Sequence, residues 1–242
     1  MNPKLPPASQ RHLRAWAAAL ACLLILLIAG CGSSSSSSSA GNGVESKSPQ
    51  EILAAAKQAA AGASTVHVSG TINNGGKTVS VDLHLATGKG AAGSMTVEGQ
   101  PIEIVEVGSG FYMKASEAFY KQVGGAAAAQ LLKDKWLKTP TGSGEFASLG
   151  ALTSLDKLLS STLSTTGTLT KTSTTTIAGQ PVVGITDAKK GTLYIATTGP
   201  VYPVAIVKEG TDSGKITFDE WNKPVTLTAP SSSVDLSQLE GG

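Results

Sequence analysis

Few residues of this 242-residue chain have types and spacings that could do chemistry. Ser154-Leu155-Asp156-Lys157 matches the Ser-x-x-Lys in which penicillin-binding enzymes place their nucleophile. Those enzymes also need a Ser-x-Asn and a Lys-Thr-Gly element, and the chain has neither; Lys138-Thr139-Pro140 is not one. Ser154 therefore reads as a helix cap. No Gly-x-Ser-x-Gly elbow occurs. His67 and His84 lie near Asp82, and all three fall on the polar side of an alternating pattern. Two imidazoles and a carboxylate are a ligand set for a transition metal. The plainer reading is a cross-strand His67–Asp82 pair on a solvated face, contributing about 0.2–1 kcal/mol. On that reading no metal, cofactor or catalytic residue is expected.

Cys31 is the residue with the clearest chemistry. Lys4, Arg11 and Arg14 precede it with no acidic residue among them, and Ala15 to Ala29 is nearly unbroken apolar sequence. A basic stretch, a short apolar stretch and small residues make a secretory signal, here over residues 1–30. The apolar run falls short of the roughly 20 residues of a spanning helix. Ile28-Ala29-Gly30-Cys31 resembles the bacterial lipobox, in which cleavage precedes a cysteine whose sulfur is diacylglycerated. Gly32 and Ser33–Ser39 follow, then Ala40-Gly41-Asn42-Gly43. Residues 31–47 read as a tether too polar to bury a core, with a reach of roughly 20–24 Å. Two or more acyl chains anchor a protein stably where one holds only marginally. The expected location is the outer face of the cell membrane.

Processing changes the charge arithmetic. The net +2 of the whole chain includes Lys4, Arg11 and Arg14; without them sixteen basic residues face seventeen acidic ones, a net of −1. Arg11 and Arg14 are the only arginines, so the processed chain has none of the usual bidentate clamps for phosphate. Nucleic acid is therefore not an expected partner. Cys22 also departs, leaving Cys31 without a cysteine partner for a disulfide or a cysteine metal site. Charged residues are 15% of the chain, against roughly 25% in an average soluble domain. Lysines are scattered, Lys133, Lys135 and Lys138 being the densest group. They read as a solvated face, or as a rim that attracts anionic headgroups at about 1 kcal/mol each.

The remainder, 48–242, reads as one domain. Ser48-Pro49-Gln50-Glu51 is a capping box that opens a helix over roughly 49–62, with Ile52 and Leu53 inward. The period then switches to two. Val66, Val68 and Ile72 alternate with polar residues, as do Val79, Val81, Leu83 and Leu85. With Asn74-Gly75 as the loop, Val66 faces Leu83 and Val68 faces Val81. With Gly99-Gln100 as the next loop, Val97 faces Ile102 and Met95 faces Ile104. Further strands are expected over 111–115, 136–138, 168–177, 182–187, 193–197, 204–209 and 216–220, about eleven in all. Helical stretches are expected near 117–134 and 146–163. Within the first, Ala126–Ala129 with Leu131 and Leu132 reads as an amphipathic helix or a movable lid. Gly99-Gln100-Pro101-Ile102 is echoed by Gly179-Gln180-Pro181-Val182.

The order lipobox, Ser-rich tether, helix and antiparallel hairpins resembles the actinobacterial LppX/LprA/LprF/LprG lipoproteins. So does the closing run Phe218-Asp219-Glu220-Trp221-Asn222-Lys223-Pro224-Val225, ending in Ala229-Pro230, and so does Lys135-Trp136-Leu137. The resemblance spans roughly residues 48–239. It implies an α+β fold, a strongly curved antiparallel sheet or half-barrel related to the LolA/LolB carriers, with helices covering the concave face. It also implies an apolar cavity for acylated lipids or glycolipids, and no catalytic residue. The candidate lining is Val66, Val68, Val79, Val81, Leu83, Leu85, Met95, Val97, Ile102 and Ile104. Read from the residues alone, the same set fits a sheet packed on helices at ordinary density. Two functions follow: a membrane-anchored lipid binder or carrier with no chemistry of its own, or an interaction lipoprotein acting through a partner such as an envelope transporter.

Overall fold

In the computed structural model the described residues are 41–140, 153, 154, 157, 167–187 and 191–236. Helix α1 (Pro49–Ala61) carries the expected capping box: the Ser48 side chain accepts the Glu51 backbone N–H, and Glu51 reaches back to the Ser48 N–H at 2.9 Å. Five strands follow: β1 (Thr65–Asn74), β2 (Lys77–Ala86), β3 (Gly90–Val97), β4 (Gln100–Val107) and β5 (Gly110–Ala115). Helix α2 (Glu117–Leu132) leads to β6 (Leu137–Pro140). Then come β7 (Leu169–Ile177), β8 (Gln180–Asp187), β9 (Gly191–Ala196), β10 (Pro203–Lys208), β11 (Gly214–Asp219) and β12 (Val234–Asp235).

All twelve strands form one open sheet in the order β12-β6-β5-β4-β3-β2-β1-β11-β10-β9-β8-β7. The α+β half-barrel expectation holds with two corrections. Among the described residues there are twelve strands, and the sheet is mixed, because β12 pairs parallel to β6 through Val234–Leu137 and Asp235–Lys138. A two-residue strand carries no alternation to read, so the sequence could not show it. The remaining pairs are antiparallel.

The hairpin registers also differ from expectation. The first loop is Gly75-Gly76 (φ 58° and 82°), so Val66 faces Leu85 and Val68 faces Leu83. The second is Glu98-Gly99 (φ 50° and 82°), so Met95 faces Ile102 and Val97 faces Gln100. Both loops hold two successive residues at positive φ, the type I′ geometry whose twist matches the strands. Each shift is two residues, an even number, so no side chain changes face. The echoed segment repeats the device: Ala178-Gly179 (φ 49° and 78°) turns Ile177 onto Gln180.

Alternation puts one apolar set of the sheet under the helices, while Val182, Ala196 and Val204 form a smaller buried cluster with Ile177 and Tyr194 that, among the described residues, includes no helix residue. Ile52, Leu53, Ala56 and Ala60 of α1 pack with Val66, Val68, Leu83, Leu85, Val183, Ile185 and Ile195. Tyr120, Ala129 and Leu132 of α2 pack with Met95, Ile102, Ile104, Phe111, Met113 and Leu137. Helix α2 is not straight. Gly125 sits at φ 76°, ψ −174°, and Lys133 pairs with Glu117 at 3.0 Å. Sixteen residues of straight helix would separate those two by about 24 Å, so the halves fold back on each other. The chain before α1 is docked rather than free. Asn42 donates to the carbonyls of Ala196 and Gly199, and Val44 is fully buried in the α1 cluster. The expected tether to residue 47 therefore gives way to folded chain by Gly41.

Gly93, at φ 152°, stands between Leu83 and Ile104; a Cβ there would lie 2.1 Å from the Asp82 carbonyl oxygen. Only glycine permits that backbone approach. Gly93→Ala is expected to lower stability by about 1–3 kcal/mol, the usual cost of a strained backbone site. Urea unfolding measures it; an unchanged midpoint would show that the approach is not limiting.

Candidate functional site

The ten candidate lining residues share one face and fall into different packing groups. Val66, Val68, Leu83 and Leu85 belong to the α1 cluster. Met95, Ile102 and Ile104 belong to the α2 cluster. These seven are essentially inaccessible, packed against helix side chains. Val79, Val81 and Val97 are different: they pack at the edge of the α2 cluster and stay partly exposed.

A seam runs between the two clusters. Across the inner face, Val81 stands between Gly70 and Met95, and Leu83 between Val68 and Gly93. The two glycines put no side chain into the space between the α1 and α2 halves. Toward the hairpin ends the same face continues through Ile72, Val79 and Val97, aligned across β1, β2 and β3. Ile72 is 41% exposed. On the other side of Gly70 the row continues through Ile216 and Ile206, also partly buried. Helix α2 also carries two exposed apolar side chains, Val123 at 47% and Leu131 at 41%. The Ala126–Ala129 run begins just past the Gly125 break, and Ala129 and Leu132 are buried.

At the opposite end of the strands lie two clefts that the sequence reading did not anticipate. One, of about 560 Å³, is lined by Ala61–Thr65, Ala86, Thr87, Lys89 and Asn222–Val225. The other, of about 330 Å³, shares Lys89 and Val225 and adds Gly88, Val107, Gly108 and Leu227. None of the ten candidate residues lines either one. The signal available for them was Lys223-Pro224-Val225, read only as a family-like ending. That run is held firmly. Thr65 donates to the Lys223 carbonyl at 2.7 Å, the Ser64 N–H donates to Asn222 Oδ1 at 2.7 Å, and Trp221 stacks on Tyr202 at 4.5 Å.

On the polar face the His67–Asp82 contact forms as expected, at 3.1 Å from Nε2. The corrected register places His84, not Asp82, directly opposite His67, and Asp219 opposite it on β11. His67 Nδ1 lies 2.7 Å from Asp219, and the two imidazoles stack at 4.4 Å. His84 Nε2 lies 3.2 Å from Glu220, whose other oxygen takes Lys223 at 3.0 Å. Burial opposes a charge on His67, but its hydrogen bonds to Asp219 and then Asp82 outweigh it and hold the imidazolium above the ordinary histidine range. Lys223, and after it His84, hold the Glu220 carboxyl below the usual carboxylate range. Sequence reasoning missed Asp219 and Glu220 because they arrive from a strand about 150 residues away.

Cys31, residues 1–40 and nearly all of the stretch expected as a helix over 146–163 lie outside the described residues. Of the Ser-x-x-Lys run, Ser154 and Lys157 are described; the Lys157 N–H points at Ser154 Oγ at 3.5 Å, as in a helix cap.

No protein-family model and no curated protein sequence matches the chain. Solved structures do. The crystal structure of LprF from Mycobacterium bovis is similar over 76% of this chain and 97% of that one, with 20% identity and a TM-score of 0.53. Lipoprotein LppX of Mycobacterium tuberculosis is similar over 75% of this chain and all of that one, with 21% identity and a TM-score of 0.47. The chain thus has the curved α+β fold of LprF.

The cluster and seam residues should answer differently to truncation. Ile104→Ala, at a fully buried position, is expected to cost about 2–5 kcal/mol. Val97→Ala, at the partly exposed seam, is expected to cost less than half as much. Urea midpoints compare them; equal losses would mean that the seam is as tightly filled as the clusters.

Proposed function

We propose that this chain is a membrane-anchored envelope lipoprotein, lipidated at Cys31, that binds acylated lipids or glycolipids at its inner apolar face and carries or presents them. The observation that carries the reading is the seam. The apolar face is continuous across the sheet, yet between the two helix-covered clusters its side chains shrink to Gly70, Gly93 and partly exposed valines. An acyl chain laid there would bury apolar surface at about 25 cal/mol per Å², with no polar group left unpaired. The fold shared with LprF and the lipoprotein-like sequence pattern support the same reading. The protein brings no chemistry of its own; binding and release are its activity.

A second reading rests on the seven buried residues. Their side chains already fill both clusters, as in an interaction lipoprotein that acts through a partner such as an envelope transporter.

One experiment separates the two. The full-length chain, purified from an actinobacterial host, is extracted with organic solvent and examined by native mass spectrometry. Bound acyl lipid is expected, near one equivalent. Val81→Trp, which fills the space beside Gly70, is expected to reduce loading severalfold while the melting temperature stays near that of the parent. Lipid-free protein would sink the carrier reading and leave the interaction module.

A further inference from the structure

We propose that the polar face of the sheet carries a divalent transition-metal site, of a kind suited to zinc, with His67, His84 and Glu220 as ligands and Asp219 and Asp82 as their supports. It lies on the opposite face from the apolar seam and does not depend on the lipid reading.

The donor set is the first argument. The nitrogens and carboxylate oxygen that these three side chains offer all lie within 4.8 Å of one another. A tetrahedral zinc with ligands at about 2.0–2.1 Å needs donors about 3.3 Å apart, so they must draw together by up to about 1.5 Å. His84 and Glu220 already stand at 3.2 Å. All three side chains are reachable: His67, His84 and Glu220 are 17%, 39% and 40% exposed. Imidazole with a carboxylate suits zinc and its late first-row neighbours better than calcium or magnesium, which prefer oxygen alone.

The second argument is orientation. His67 Nδ1 meets Asp219 Oδ1 at 2.7 Å. A carboxylate on one ring nitrogen fixes the tautomer and raises the basicity of the other, the arrangement found behind metal-bound histidines. His67 Nε2 then has a lone pair for the metal once the proton it shares with Asp82 leaves to solvent. Charge completes the case. Asp82, Asp219 and Glu220 are three carboxylates around two imidazoles, and among the described residues Lys223 is the one lysine paired to them. With both imidazoles neutral, a divalent cation balances what Lys223 leaves.

The third argument is the backbone at Glu220. Successive residues of a strand point to opposite faces, so Asp219 and Glu220 should not both reach the histidines. They do, because Glu220 follows the end of β11 in the left-handed region, at φ 50°. A side chain rarely adopts that conformation, and glycine would take it freely. The turn is pinned by the Tyr202–Trp221 stack and the Ser64–Asn222 hydrogen bond, neither of which needs glutamate at position 220.

The test is calorimetric titration of zinc chloride into the full-length chain, with magnesium chloride as control. Saturable one-to-one zinc binding is expected, and none with magnesium. His84→Ala is expected to weaken binding at least by the roughly 10–100-fold that changes to supporting residues cost. Glu220→Gly removes a ligand but relieves the backbone; similar weakening is expected, with a melting temperature equal to or above that of the parent. Independently of any variant, the ring resonances of His67 and His84 should move together on zinc addition. No saturable heat, unmoved His67 and His84 resonances, or both variants titrating like the parent would overturn the site.

Discussion

The structure depends on β1 being hydrogen-bonded along both edges. On one side it pairs with β2 from Thr65–Ala86 to Asn74–Lys77, a local hairpin. On the other it pairs with β11 from His67–Asp219 to Ile72–Gly214, across roughly 150 residues of sequence. Without the second pairing there would be two separate sheets, β1 to β6 with β12 and β7 to β11, each with one more exposed edge. With it there is one sheet, and α1, the segment just before β1, lies over the join. Closing so long a loop costs entropy that grows only slowly with length. The apolar surface gained is large: α1 residues and residues from both of those parts share one cluster.

This explains what the sequence made legible. Local, periodic features were readable: the capping box at Ser48, the alternation in β1 and β2, and the helices over residues 49–62 and 117–134. Register was readable only to within two residues. Alternation fixes which face a side chain takes, and a slip of two leaves every face unchanged. The choice between Asn74-Gly75 and Gly75-Gly76 rests on the φ of single residues. Long-range pairings left no periodic trace. Nothing in Asp219 or Glu220 marks them as neighbours of His67, and the β12–β6 pairing is two residues long. The candidate lining residues do share one face, but sequence does not show which of those apolar positions a helix will cover.

Because β1 and β2 alternate, one pair of strands supplies two unlike surfaces. Val66 and Val68 are buried under α1, and His67 between them points away with Asp82 and His84. The polar surface is well satisfied: Ser69 with Thr217 and Thr71 with Ser80 form hydroxyl ladders at 2.9 Å. Such ladders contribute modestly, about 0.2–1 kcal/mol per cross-strand pair. They leave the apolar face as the main source of stability.

The two faces meet in the same three strands. Gly70 and Val81, which bound the seam, sit on β1 and β2; Ile216, which continues it, sits on β11. His67, its partners Asp82 and Asp219, and His84 tie those strands together from behind. Opening the seam by splaying β1 from β2 or β11 would stretch hydrogen bonds of about 3 Å, whose strength falls steeply with distance and angle. Packing at the seam is weak by composition, with two glycines where a filled core would place branched side chains. The polar cluster behind it therefore supplies rigidity that the apolar side lacks. A lightly packed inner face can persist in an open sheet because the strands that carry it are clamped on the outer one.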